Sequence, residues 1–133
     1  MKLLGFIVGI LTSLSISTFA TTRYVWQDSP SPTSPYTNWI TAATNIQDAI
    51  DAADLFDLVL VTNGVYQSGG LYLFDVTTNR VTITNSVTLQ SVNGPAVTII
   101  RGYQQPGSNN SRKAVRCVYA LNGAVVSGFA KVS

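Results

Sequence analysis

The chain has 133 residues, a formal net charge of +2, 46% hydrophobic and 11% charged residues, six aspartates, no glutamate and no histidine. So weak a positive charge gives no footprint for nucleic acid or for an anionic membrane surface, and the lack of histidine excludes Ser–His catalysis and His-rich metal sites. Cys117 is the only cysteine, so an intramolecular disulfide is excluded too.

Residues 1–20 read as a secretory signal. Lys2 supplies the positive start, Leu3 to Ile16 a mostly apolar stretch, and Thr18-Phe19-Ala20 ends in a small residue suited to cleavage. A membrane anchor would need about 20 strongly apolar residues, whereas this stretch is shorter and interrupted by Gly5, Gly9, Ser13 and Ser15. Cleavage would remove Lys2, lower the net charge from +2 to +1 and leave a domain of residues 21–133 with no membrane span. Secretion or display at the cell surface or outer membrane follows.

Arg23 to Trp26 is a brief β-type run, and Asp28 to Thr37, with Pro30, Pro32 and Pro35, is a loop. Trp26, Tyr36 and Trp39 admit two readings: a platform on which sugars stack, or a seal of large rings between helix and sheet, which the burial of indole favours. A helix is expected over Thr44 to Ala53. Thr44 would be its N-cap, with Gln47 completing a capping box. Ile46, Ala49, Ile50 and Ala53 form one apolar stripe, and Gln47, Asp48 and Asp51 face away. Leu58-Val59-Leu60-Val61 is a buried strand ended by Asn63-Gly64. So short a helix does not persist alone, so it is expected to plug the open end of a coiled sheet.

Beyond Tyr66 the pattern is strands and turns. Gln67 to Gly70 is a turn, Leu71 to Val76 a strand and Thr77-Thr78-Asn79 a break. Val81 and Ile83, Val87 and Leu89, then Val97 and Ile99 share one parity, with Thr82, Thr88, Gln90 and Thr98 on the other, which indicates an all-β arrangement. Gln104 to Lys113 is a polar insertion, holding the formal glycosylation acceptor Asn109-Asn110-Ser111. Arg116 to Tyr119, with Cys117 as a small buried hydrophobe, and Ala124 to Val126 resume the strand character. Asn-Gly recurs at 63–64, 93–94 and 122–123, intervals of 30 and 29 residues. Stacked coils produce such a period, but Asn-Gly is also a hairpin turn, so solenoid and sandwich both stand.

The aspartates are Asp28 in a loop, Asp48, Asp51 and Asp54 on or beside the helix, Asp57 at the strand entry, and Asp75. Asp48 and Asp51 share one helical face; a carboxylate pair is geometrically possible there, but a solvated helix surface is the favoured reading. No residue is assigned to catalysis, to a cofactor or to a metal.

The stretch Trp39…Ala43-Thr44-x-Ile46-Gln47-x-Ala49-Ile50-x-x-Ala53…Asp57-x-Val59-x-Val61-x-x-Gly64-x-Tyr66 resembles the N-terminal cap and first coil of secreted bacterial right-handed parallel β-helix proteins, the pectin-lyase-like group. Val87 to Ser91 and Val97 to Gly102 resemble a second coil, and Val125-x-Ser127-Gly128-Phe129 the start of another. The resemblance implies an all-β solenoid start of two to three coils with one short capping helix. It departs from the pattern at Phe56, where the family usually has glycine, so that corner is rebuilt or strained. Family coils run on for several hundred residues, so the chain reads as a fragment whose last coil exposes open edges and self-associates. Lyases of this fold use calcium-binding aspartates and an arginine or lysine base; Arg80, Arg101 and Arg116 lie on or near strands, without clustered aspartates. The resulting expectation is a non-catalytic N-terminal part of an exported β-helix protein, contacting polysaccharide or cell-surface glycan. The alternative is the start of a polysaccharide lyase or glycoside hydrolase whose active site lies downstream. A third is an independent β-sandwich that binds sugars through Trp26, Tyr36 and Trp39.

Overall fold

A computed structural model describes residues 19–73, 77–107, 113–121 and 123–133, together with Gly9. Among the described residues the fold is all-β with one short helix, α1 (Ile46–Asp51). One sheet has the order β1 (Thr22–Val25), β2 (Leu58–Val61), β6 (Thr88–Ser91), β9 (Val125–Ser127). A second has the order β10 (Ala130–Val132), β7 (Thr98–Arg101), β3 (Gly64–Tyr66). The third joins β4 (Leu71–Leu73), β5 (Thr77–Ile83) and β8 (Val115–Ala120). Every pairing is parallel except β4 with β5. From β2 onward the chain passes through the first, second and third sheets in cyclic order. Leu58-Val59-Leu60-Val61 lies parallel to both its neighbours, β1 and β6.

The registers give the length of each circuit. Leu58 pairs with Thr88, 30 residues on, and Thr88 with Val125, 37 residues on. The longer circuit contains the polar insertion, whose base is closed by an antiparallel bridge between Tyr103 and Val115. Residues 109–111, the formal glycosylation acceptor, lie outside the described residues, as do Asp75 and all of 1–20 except Gly9, Phe19 and Ala20. Asn63-Gly64 and Asn93-Gly94 both lead from the first sheet to the second, so neither is a hairpin. They stack, with Asn93 Nδ2 donating to Asn63 Oδ1 at 2.7 Å. The third pair breaks the expected period: Asn122 is outside the described residues, and Gly123 precedes β9, at the corner from the third sheet to the first. Its interval of 29 residues is therefore not a structural repeat.

Inward side chains form a continuous core that includes Val25, Val59, Val61, Tyr66, Val81, Ile83, Val87, Leu89 and Ile100, joined by Ile46, Ala49 and Ile50 of α1. The expected parity fails in β7. Thr98 and Ile100 are fully buried, whereas Val97 is 41% exposed and Ile99 half-buried. Val97 and Ile99 match the apolar alternation, but pairing of Thr98 with Gly64 and Ile100 with Tyr66 sets which row points inward. The turn at Gly94 (φ 86°) delivers that register, with Thr98 N donating to Gly94 O. Leu58 and Leu60 are half-buried, so β2 alternates too, although its sequence is wholly apolar. At the far end Cys117, Val118, Val126 and Phe129 are only partly buried, which corrects the placing of Cys117 in the core.

The helix is shorter than its apolar stripe. It packs on β1, β2 and β5, across the end where β1 is the edge strand. Its N-cap is Asn45, not Thr44. Asn45 Oδ1 accepts from Asp48 N at 3.0 Å while Asn45 Nδ2 donates to Asp48 Oδ2 at 2.7 Å, an N-cap one residue later than expected whose second bond is made by the Asn45 side chain. Gln47 thereby points inward and is buried, the reverse of the expected outward face. Among the described residues no helix is long and apolar enough to cross a membrane.

Candidate functional site

The informative region is the helix-covered end. A free strand edge presents unpaired amides and carbonyls, and here each sheet has polar partners on that edge. On β1, Tyr24 N donates to Tyr36 O at 2.8 Å, Ala43 N to Tyr24 O at 2.9 Å and Trp26 N to Ala43 O at 2.8 Å. The proline-rich loop thus lies as an irregular extra strand. On β3, Gln27 Nε2 donates to Val65 O at 2.8 Å. On β5, Gln47 Oε1 accepts from Thr82 N at 2.7 Å and its Nε2 donates to Thr82 O at 3.1 Å. The same Nε2 donates to Asp51 Oδ1 at 2.8 Å.

Beside this seal lies a buried ion pair. Arg23 sits on β1 and Asp57 at the entry to β2, 6% and 2% exposed. Arg23 Nε donates to Asp57 Oδ2 at 3.1 Å, and its NH2 group lies 3.0 Å from the same oxygen. Arg23 NH1 donates to Pro35 O at 3.1 Å, tying the covering loop to the pair. Thr21 N donates to Asp57 Oδ1 at 2.7 Å and Asp54 N to Oδ2 at 2.9 Å. Burial pushes the Asp57 carboxyl up, but these two amides and the Arg23 guanidinium outweigh it and hold it below its ordinary value. Phe56, the residue before Asp57, has φ 68° and is 70% exposed, so of the two alternatives for this glycine-less corner, rebuilt or strained, the backbone shows the strained one.

The three aromatic residues singled out from sequence are not brought together as one ring stack. Trp39 packs edge-on against Tyr24, with ring centroids 4.6 Å apart. Trp26, half-buried, follows β1 directly. Tyr36 packs on the core and faces the helix, where burial first, then the charges of Asp48 and Asp51, raise its phenol above its ordinary pKa. Ser34, Tyr36, Asp48, Asp51 and Ala52 line a cleft of ≈ 270 Å³. One aromatic ring beside two exposed carboxylates is a surface suited to a sugar, with an apolar face to stack and acceptors for hydroxyls. Arg80, half-buried, donates from Nε to Arg101 O and from NH1 to Gly69 O, so it is spent on carbonyls; burial lowers its pKa. Arg101 and Arg116 are exposed.

Sequence reading missed Gln27, Gln47, Arg23 and Asp57 as structural polar groups. The signal was available in part: with charged residues so sparse, an arginine alternating with Tyr24 and Val25 needed a buried carboxylate partner. Comparison with protein-family models, with curated proteins and with solved structures finds no match to this chain.

Proposed function

We propose that the chain is the capped start of a right-handed parallel β-helix, exported from the cell, that meets glycan without catalysing a reaction. The cyclic passage through three sheets with parallel registers supports the architecture. Sealed edges at the α1 end match what a terminal coil of a solenoid needs. The observation that carries the glycan reading is the cleft of Tyr36 with Asp48 and Asp51. Trp26 and Trp39 flank the same covering loop and enter as reporters and outer contacts. Adhesion at the cell surface is the role such a site serves.

Titrating a folded sample with neutral and acidic oligosaccharides while following tryptophan fluorescence tests the reading. A saturable change that disappears in Tyr36→Ala is expected. A folded sample that responds to none of them sinks it, and measurable cleavage of any of these sugars sinks the non-catalytic part.

A further inference from the structure

Residue Thr21 is the first of the mature domain if the leader is cut after Ala20, and its backbone nitrogen is the donor to buried Asp57. We propose that the Ala20–Thr21 bond is a processing site whose product completes a prebuilt ion cluster. The inference rests on the export reading above. Water attacks the Ala20 carbonyl in the active site of a leader-cleaving peptidase, the C–N bond breaks, and the leader departs with a new Ala20 carboxylate. Thr21 keeps the nitrogen and takes up protons to become an ammonium.

Three observations place the partner in advance. First, Thr21 N is already 2.7 Å from Asp57 Oδ1, and Leu58 N donates to Thr21 O at 3.0 Å, so the residue is held from both sides before any cut. Second, the charged groups facing this corner are Arg23, Asp54 and Asp57, with Arg23 NH2 3.5 Å from Asp54 Oδ2 and 3.0 Å from Asp57 Oδ2. Among the described residues two carboxylates, that of Asp54 90% exposed, therefore share one guanidinium, and the ammonium supplies a second cation. The alternation becomes Thr21 positive, Asp57 negative, Arg23 positive, Asp54 negative. Third, Phe19 is 86% exposed and Ala20 is exposed, with Phe19 bordering an open cleft beside Asp54 to Asp57, while Thr21 is half-buried, so the Ala20 side of the bond is the more accessible to a peptidase. A neutral N–H at Oδ1 becomes a charge-assisted donor, a contact roughly twice as strong.

The sign of the effect is fixed. A paired ammonium has its pKa raised, so its stabilisation is full below the unfolded α-amino value of about 8 and is lost as pH rises through the folded value. The full chain is expressed with its leader in an exporting host, and the product is compared with an Ala20→Gln chain that resists cleavage. Sequencing is expected to find Thr21 first. The processed protein is expected to lose about 4–8 °C of Tm between about pH 8 and pH 10 that the uncleaved chain keeps. NMR titration of the processed protein alone is expected to place the Thr21 amine above about 8. Identical pH profiles together with an ordinary amine titration overturn the ion cluster while leaving export standing. A different first residue overturns the proposal while leaving export standing, and no residue removed overturns it because the export reading has failed.

Discussion

The side-chain amide of Gln47 exchanges two hydrogen bonds with the backbone of Thr82, as a neighbouring strand residue would. In a strand, a residue's N–H and C=O point to the same side, so one primary amide satisfies both. Thr82 is 2% exposed, so water does not reach its backbone groups to replace Gln47. Replacing Gln47 by Leu leaves both backbone groups buried without partners, at about 1–3 kcal/mol each. A loss of about 2–4 kcal/mol in urea unfolding is expected, with Thr82 amide exchange accelerated; unchanged protection at Thr82 would count against the edge role.

Arg23 and Asp57 make a second, sharper prediction. Arg23→Met removes the guanidinium from a carboxylate that is 2% exposed, and breaking a buried pair from one side costs about 3–5 kcal/mol. The two amide donors from Thr21 and Asp54 remain, so the lower end of that range is expected from chemical denaturation.

The depressed Asp57 carboxyl also fixes a pH dependence. Its folded pKa lies below the unfolded value of about 3.9, so its contribution is full above that value and is lost as pH falls through the folded one. Thermal unfolding between pH 6 and pH 2 is expected to show an acid-side fall that Asp57→Asn, already weakened at pH 6, lacks in part.

Phe56 invites a stabilising change. Its φ of 68° costs a residue with a Cβ roughly 1–2 kcal/mol, and its ring is mostly in solvent. Phe56→Gly relieves that strain, while the greater freedom of glycine in the unfolded chain takes back about 0.4–1 kcal/mol. A net gain of between zero and about 1.6 kcal/mol is expected from urea unfolding, provided the Phe56 N to Ser86 O bond persists.

The inward row of β7 is testable by contrast. Ile100→Ala is expected to cost about 2–5 kcal/mol, whereas Val97→Ala, at a position 41% exposed, is expected to cost well under 1 kcal/mol. Equal effects would contradict the register with Tyr66.

These tests also mark where the sequence was legible. The apolar stripe of Ile46, Ala49 and Ile50 announced itself through periodicity, and β2 through an unbroken apolar run closed by Asn63-Gly64. The corner at Phe56, expected to be rebuilt or strained, was legible only through the family resemblance that puts glycine there. What stayed hidden was decided between distant segments. Val97-Thr98-Ile99-Ile100 satisfies either parity locally, and only Gly64 and Tyr66 across the sheet choose one. The third Asn-Gly mimicked a period because the insertion lengthened the second circuit without leaving a trace in the dipeptide spacing. Gln47 looked like a solvated helix residue because nothing near it in sequence reveals that Thr82 lacks a neighbour. The aromatic set was found residue by residue, but its division between Tyr24 and the helix depends on how the loop crosses β1.

The covering of β1, β3 and β5 makes the two faces of the stack unequal. On one face the ladder is quenched by Gln27, Gln47 and the loop; on the other, β8, β9 and β10 are the outermost strands, with Val125 and Val132 about half in solvent. An approaching strand therefore meets a stop at the α1 end, where the outermost backbone groups already hold side-chain and loop partners.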